Sequence, residues 1–329
     1  MRNAERLPAG SFGKSVKKEL TMIAVIGCAK ETVNVKMSMP MDEGERALMG
    51  IEEPKTEADI KDDEIAVKDS GCGVNIAKQL AALGYETEFI SVVGDDTLGA
   101  AVKAGLDDAG VKRGGVDAMP GSTAVDVHFL NVLGEIVMFN KNLEAVKKIT
   151  PDFVRSKADI LDRADYIVVD GSIPQETIEY IAGEYGPRDN VKIFFDPASV
   201  SGGYKAADIL EHFHCVLPGR MEAEAMTGKT VLGEEQLREA GLFFEESGID
   251  RCVITIKGGG MYYREGESEG ILRPEKLFPF GSTSGAGDVV SAAVIAGTIE
   301  GKDMETVAKE AMAKAAAFLS ELGLKAVED

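Results

Sequence analysis

The sequence predicts an α/β fold, a mostly parallel sheet covered by helices on both faces, with a small β-rich lid. Three observations point there. From Tyr166 onward, short apolar runs of strand character alternate with runs of helical character, the rhythm of strand–helix–strand crossovers. Residues 123–133 alternate apolar with polar, and a turn at Gly134 leads into a second such run over 135–139, the pattern of a β-hairpin with one face toward solvent or ligand. The chain has 329 residues and 44% hydrophobic content, enough for one large α/β domain or two smaller ones.

Taken in order, residues 1–21 are polar and lack the apolar core of a secretory signal; they read as a disordered extension, with Met22 a plausible start. The run MIAVIG over 22–27 is a buried first strand closed by glycine. Residues 40–69 are charged and irregular, a solvated flap or small subdomain. A helix is expected over 75–83, closed by Gly84, then a strand over 88–93. The turn at 94–99 offers Asp96 or Thr97 to cap a helix over 100–109. Beyond the hairpin, strands over 166–169, 192–195, 215–217 and 252–256 alternate with helices near 175–184, 205–212, 221–227 and 234–247.

Ligands of parallel sheets bind at the carboxyl ends of the strands, and polar clusters fall there repeatedly. Asp170-Gly171-Ser172, Asp196-Pro197, the segment from Pro218 to Glu222, and Lys257-Gly258-Gly259-Gly260 each follow a strand. The last loop, Ser282-Thr283-Ser284-Gly285-Ala286-Gly287-Asp288, opens into a run of small apolar residues. A flexible loop entering a helix presents unpaired N–H groups and the positive end of the helix dipole, which suits a phosphate. An aspartate there opposes simple phosphate binding, but it fits a base that takes the proton from a hydroxyl attacking that phosphate. The simpler role for Asp288 is a helix cap.

Formal net charge is −20, from 56 acidic and 36 basic residues, which repels nucleic acid and anionic membranes. No run reaches the roughly 20 apolar residues of a membrane span. Cys28, Cys72, Cys215 and Cys252 have no CxxC spacing, and there are three histidines; neither a disulfide framework nor a Cys/His zinc site is expected, and a reducing, cytoplasmic setting fits. Asp95-Asp96 reads as a capping turn rather than a metal pair. His128, His212 and His214 lack the spacing of ligands and read as structural, and Lys257 as a solvated lysine. For Asp196, a structural hydrogen bond and a substrate contact stand side by side.

Over residues 22 to about 320 the chain resembles the PfkB, or ribokinase-like, carbohydrate and nucleoside kinase family. The family's closing signature D-T-x-G-A-G-D is matched by the 282–288 loop, and its Gly-rich segment by Ser70-Gly71-Cys72-Gly73-Val74-Asn75-Ile76-Ala77. Its G-x-D-x-x-G is matched by residues 94–99, and its P-N-x-x-E…T-G by residues 218–228. Asp196-Pro197-Ala198-Ser199-Val200 and the stretch from Asn142 to Phe153 are most similar to the pseudouridine kinase subgroup. The resemblance implies a three-layer α/β/α sandwich with lid segments near 34–69 and 123–140.

It also implies ATP-dependent phosphoryl transfer to a hydroxymethyl group of a sugar or nucleoside. Asp288 would be the base, with Gly285, Ala286 and Gly287 forming an anion hole from their N–H groups. Asn34, Gly71, Gly73, Asn75 and Asn142 would meet the acceptor. Thr255, Gly258, Gly260, Ser282 and Thr283 would meet ATP, and Glu222 would hold Mg²⁺ through water. The resemblance further implies a homodimer through the lid and admits a monovalent cation such as K⁺. The chain departs from the family pattern at Ser282, at Gly219 in place of asparagine, at Ser70 in place of the first glycine of a pair, and at Lys257. The aspartate expected after the first strand falls on Asn34, beyond an insertion at 29–32. Those departures motivate a second reading, a weak or inactive sugar- or nucleotide-binding protein on the same fold. A dinucleotide-binding dehydrogenase is disfavoured, since MIAVIG is followed by Cys-Ala-Lys-Glu-Thr and not by G-x-G-x-x-G.

Overall fold

The computed structural model describes residues 21–36, 64–130, 136–256, 258, 260–274, 276–277, 285–322 and 327–328. The N-terminal extension, most of the 40–69 flap, Lys257, Gly259, Ser282 and Thr283 lie outside them. In chain order the principal strands are β1 (Met22–Ile26), β2 (Lys30–Lys36), β3 (Glu64–Ser70), β4 (Glu86–Gly94), β5 (Lys112–Met119), β6 (Ala124–Leu130), β7 (Ile136–Asn142), β8 (Tyr166–Asp170), β9 (Lys192–Asp196), β10 (Cys215–Val216), β11 (Arg251–Ile256), β12 (Gly260–Glu265) and β13 (Ser268–Leu272). The principal helices are α1 (Cys72–Ala82), α2 (Thr97–Asp108), α3 (Gln175–Tyr185), α4 (Val200–Ala206), α5 (Arg220–Thr227), α6 (Glu234–Glu246), α7 (Ala286–Ile299) and α8 (Met304–Glu321).

Nine strands form the main sheet in the order β13-β12-β11-β10-β9-β8-β1-β4-β5. From β11 to β5 every neighbouring pair is parallel. The sheet ends in the antiparallel β12 and β13, an edge the helical rhythm did not foreshadow. Side chains of a strand alternate between faces, and β1 shows it. Met22, Ala24 and Ile26 belong to the core layer under α3, α5 and α6, while Ile23 and Val25 belong to the opposite layer under α1, α2, α7 and α8. Helix α7 is apolar nearly all round, with ten of its residues buried, because it is packed by α8 on one side and α1 on another.

A second sheet, in the order β3-β2-β6-β7, forms the lid. The expected hairpin is present as the antiparallel β6–β7 pair. Residues 30–36, read from sequence partly as an insertion, are instead strand β2, which runs antiparallel to β3 and parallel to β6. Its charged and β-branched composition suits a half-exposed sheet better than a buried one.

Helix α1 starts at Cys72, earlier than its periodicity suggested, and α2 is capped by Asp96, whose Oδ1 accepts from Gly99 N at 2.8 Å. The helix expected near 205–212 begins at Val200, capped by Ser199 Oγ, and ends at Ala206, leaving one 3₁₀ turn at Leu210–His212. Gly202 and Gly203 look like helix breakers in sequence. A Cβ at Gly202 would overlap the Pro197 carbonyl oxygen, so close packing requires glycine inside this helix. No helix among the described residues is long and apolar enough to cross a membrane.

Candidate active site

The carboxyl ends of β9, β10 and β11 meet the N-termini of α1, α5 and α7 and the inner face of the lid around a cleft of about 590 Å³. Helix α7 enters it through Gly285, which has φ of 92°. Asp288 is in the first turn of α7, and its Oδ2 accepts from Asn75 Nδ2 of α1 at 2.6 Å. The first-turn N–H groups of Ala286 and Gly287 have no intrahelical acceptors and face the same end of the helix dipole.

Asp288 stands beside Asp196 and Cys72; one ligand-capable atom from each lies within 4.8 Å of the others. Asp196 closes β9, where Ser291 Oγ donates to its Oδ2 at 2.6 Å and Ala198 N to its Oδ1 at 2.8 Å. Burial, followed by the negative charge of Asp196, pushes the Asp288 carboxyl up to about 7. Burial likewise pushes Asp196 up to about 6, and the Cys72 thiol rises through burial and then its two acidic neighbours. A carboxyl titrating near neutrality can take up a proton at the pH where the cell works.

Asp170 fixes the frame. Fully buried at the end of β8, it accepts with Oδ2 from Cys28 N at 2.9 Å and Gly73 N at 3.0 Å, and with Oδ1 from Ser172 N and Oγ at 2.8 and 2.6 Å. One carboxylate thus ties the exit of β1, the start of α1 and the loop after β8. Gly73, expected among acceptor contacts, donates to this frame and is not among the residues lining the cleft. Gly71 does line it; its φ of 117° suits glycine, and a Cβ there would overlap the Cys28 carbonyl oxygen.

Glu222, in the first turn of α5, lines the cleft, as does Thr255 at the end of β11. Gly219 caps α5 and bridges Thr255, and a Cβ at 219 would collide with the Glu222 carboxylate. The departure from asparagine therefore makes room for Glu222 to fold over its own helix N-terminus. Oxygen donors of this kind suit a hard divalent cation such as Mg²⁺.

Not every expected site residue is brought to the cleft. Asn34 sits on β2 opposite Ala66 and His128, and Thr32, two residues earlier on the same face, lines the cleft where Asn34 does not. Asn142 ends β7, exposed, with Oδ1 accepting from Glu144 N at 3.1 Å. Gly258 and Gly260 follow β11 without lining the cleft. Conversely, Lys30, Lys68 and His128 from the lid and Phe318 from α8 do line it, and no local motif marks them. Their positions depend on pairings between distant strands and on the docking of α8.

Residues 47–328 match the family model described as pfkB family carbohydrate kinase. The chain is 30% identical over 247 residues to the pseudouridine kinase of Escherichia coli strain K12, covering 74% of this chain and 77% of that protein. Among solved structures, an Arabidopsis thaliana ribokinase complexed with ribose and ATP superposes with a TM-score of 0.71 at 21% identity, covering 90% of this chain and 91% of that one. A ribokinase II-like structure from E. coli in complex with ATP and Mg²⁺ also gives 0.71, at 19% identity and 90% and 92% coverage. Both structural likenesses lie in the fold.

Proposed function

Because the chain belongs to the pfkB family of carbohydrate kinases, we propose that it transfers the γ-phosphoryl group of ATP to a hydroxymethyl group of a sugar or nucleoside, with Asp288 as the base. The observation that carries this is the position of Asp288. It stands at the N-terminus of α7 with a carboxyl titrating near neutrality, in a cleft shared with the lid. The attacking hydroxyl loses its proton to Asp288 as its oxygen approaches the phosphorus. The N–H groups of residues 285–287 then hold the charge that develops on the transferring phosphoryl oxygens. Asn75, bonded to Asp288, orients the base and meets an acceptor hydroxyl. Glu222 is the residue fitted to hold Mg²⁺, which when bound neutralises phosphate charge. Thr255, with the apolar wall of Val253, Val290 and Phe318, fits the adenine side.

Segments within 34–69 and 123–140 act as the lid of a single domain, closing to exclude water. The lid carries exposed apolar side chains, among them Ile65 at 65%, Val67 at 58%, Met138 at 55% and Phe139 at 61% exposure, more than a solitary sheet leaves open. Pairing of two lids in a homodimer covers them. Sedimentation at micromolar concentration is expected to give a dimer that Met138→Glu converts to monomer; a monomeric parent protein would refute the pairing. The four cysteines are free, as suits a reducing, cytoplasmic setting.

The pseudouridine kinase relative makes pseudouridine the first acceptor to try. A coupled ADP-release assay across pseudouridine, ribose, fructose, 2-keto-3-deoxygluconate and the common nucleosides is expected to show turnover with at least one. Glu222→Gln is expected to raise the Mg²⁺ requirement by about tenfold through loss of a carboxylate ligand, and replacing K⁺ by a bulky ammonium ion reads any monovalent dependence. Ligand-induced thermal stabilisation without ADP from any acceptor would establish a binding protein instead.

A further inference from the structure

The lid strands align their inward-facing residues in transverse rows, since directly paired residues share a face. Thr32 pairs Lys68 on one side and Asp126 on the other, and Asp126 pairs Lys141. The row therefore reads Lys68–Thr32–Asp126–Lys141. The adjoining row toward the sheet is Ser70–Lys30–Ala124, and the outer one is Ala66–Asn34–His128–Phe139. These three rows hold three lysines against one carboxylate, on a protein whose formal charge is −20. Lys30, Thr32, Lys68, Ser70 and His128 line the cleft.

The hydrogen-bonding character of that face is one-sided. Asp126 is buried and ion-paired to Lys30, and its Oδ1 is enclosed without a partner among the described residues. The Thr32 and Ser70 hydroxyls bond each other. Lys68 is exposed and has no ion-pair partner among the described residues. Recognition of vicinal sugar hydroxyls calls for carboxylate or amide oxygens facing the ligand. Here the lid offers N–H donors carrying positive charge, while its two carboxylates near the cleft are both engaged, Asp126 by Lys30 and Asp69 by Lys78 of α1, which leaves the Lys68 ammonium uncompensated among the described residues. Lys30 and Lys68 are diagonal neighbours on paired strands, their backbones roughly 7–8 Å apart, a span that two long side chains can close around the oxygens of a phosphate or carboxylate.

We propose that the acceptor carries an anionic group, phosphate or carboxylate, besides the hydroxyl that attacks, and that Lys30 and Lys68 of the lid seat it. This rests on the kinase reading of the cleft and narrows its acceptor class. Asp126 is a positioning residue that holds the Lys30 ammonium at the cleft wall. On the kinase reading the ATP phosphates would meet the N-terminus of α7, so the two anions of the reaction would be gripped by different elements.

Matched acceptors test it by titration calorimetry and ADP release: fructose against fructose 1-phosphate and fructose 6-phosphate, and 3-deoxyfructose against 2-keto-3-deoxygluconate, with pseudouridine as a neutral nucleoside. At least one anionic member is expected to bind roughly 10- to 100-fold more tightly than its neutral partner, by a margin that shrinks as salt rises. The phosphate and carboxylate pairs separate the two anion chemistries. Lys68→Ala, at an exposed position, is expected to remove most of that preference while leaving the affinity for fructose within about twofold. Pseudouridine or fructose preferred over every anionic acceptor would overturn the inference and leave the kinase reading standing. An equal loss of kcat on neutral and anionic acceptors in Lys68→Ala would also overturn it, because the ammonium would then act on the transferring phosphoryl group. Anion-selective binding abolished by Lys68→Ala, without ADP from any acceptor, would support the seat and refute the kinase.

Discussion

Asp288→Asn is expected to lower turnover by roughly 10²- to 10⁴-fold, the usual worth of a positioned general base, while ATP binding measured by calorimetry is kept. The substitution preserves shape and the contact with Asn75 but leaves no group able to take the hydroxyl proton. The parent enzyme should show kcat/KM rising with pH and levelling above about 7, where the Asp288 carboxyl ionises. Burial is the first cause of that raised value and the Asp196 charge the second, so Asp196→Asn should shift the rising limb to lower pH. The same groups set a stability cost of opposite sign. A carboxyl whose folded-state pKa is raised holds its proton more tightly when folded, so its stabilisation is full below about pH 4 and is lost as pH rises through 6 to 7. Asp288→Asn should therefore melt above the parent at pH 8. A rate within a few-fold of the parent across pH 6–9 would refute the base.

Asp170→Ala is expected to cost about 4 kcal/mol of stability by leaving the buried Cys28 and Gly73 N–H groups without acceptors. For a chain of this size that corresponds to a fall in melting temperature of about 6 °C. The damage should reach the chemistry as well, since Gly73 lies in the first turn of the helix that carries Cys72 and Asn75. Urea titration followed by the ADP assay on the folded fraction separates the two effects. A parent-like denaturation midpoint would show that the three-way tie is dispensable.

The parallel core of this fold was legible because its signals are local. Short apolar runs such as 166–169 and 252–256 alternate with amphipathic ones, and the loops after them are polar. The 285–288 turn was legible for the same reason. What escaped depends on partners far along the chain. Residues 32–36 alternate polar with valine, but the run is short and charged, and its place in the lid is settled only by β3 and β6 lying on either side. His128 looked structural in isolation, and its place at the cleft follows from register with Asn34, 94 positions earlier in the chain. The antiparallel β12–β13 edge and the glycine-containing α4 were set by sheet pairing and close packing rather than propensity.

The lid is assembled from two excursions of the chain, β2–β3 and β6–β7, and the single parallel pair β2–β6 is the seam that joins them. Neither hairpin is a complete module, since each would expose an unpaired edge without the other. Specificity is therefore inherited in two parts that are separated in the gene but locked in register. A chimaera exchanging residues 30–70 alone would confront a foreign edge at the seam, whereas exchanging 30–70 and 124–142 together would carry a whole recognition surface onto an unchanged catalytic sheet.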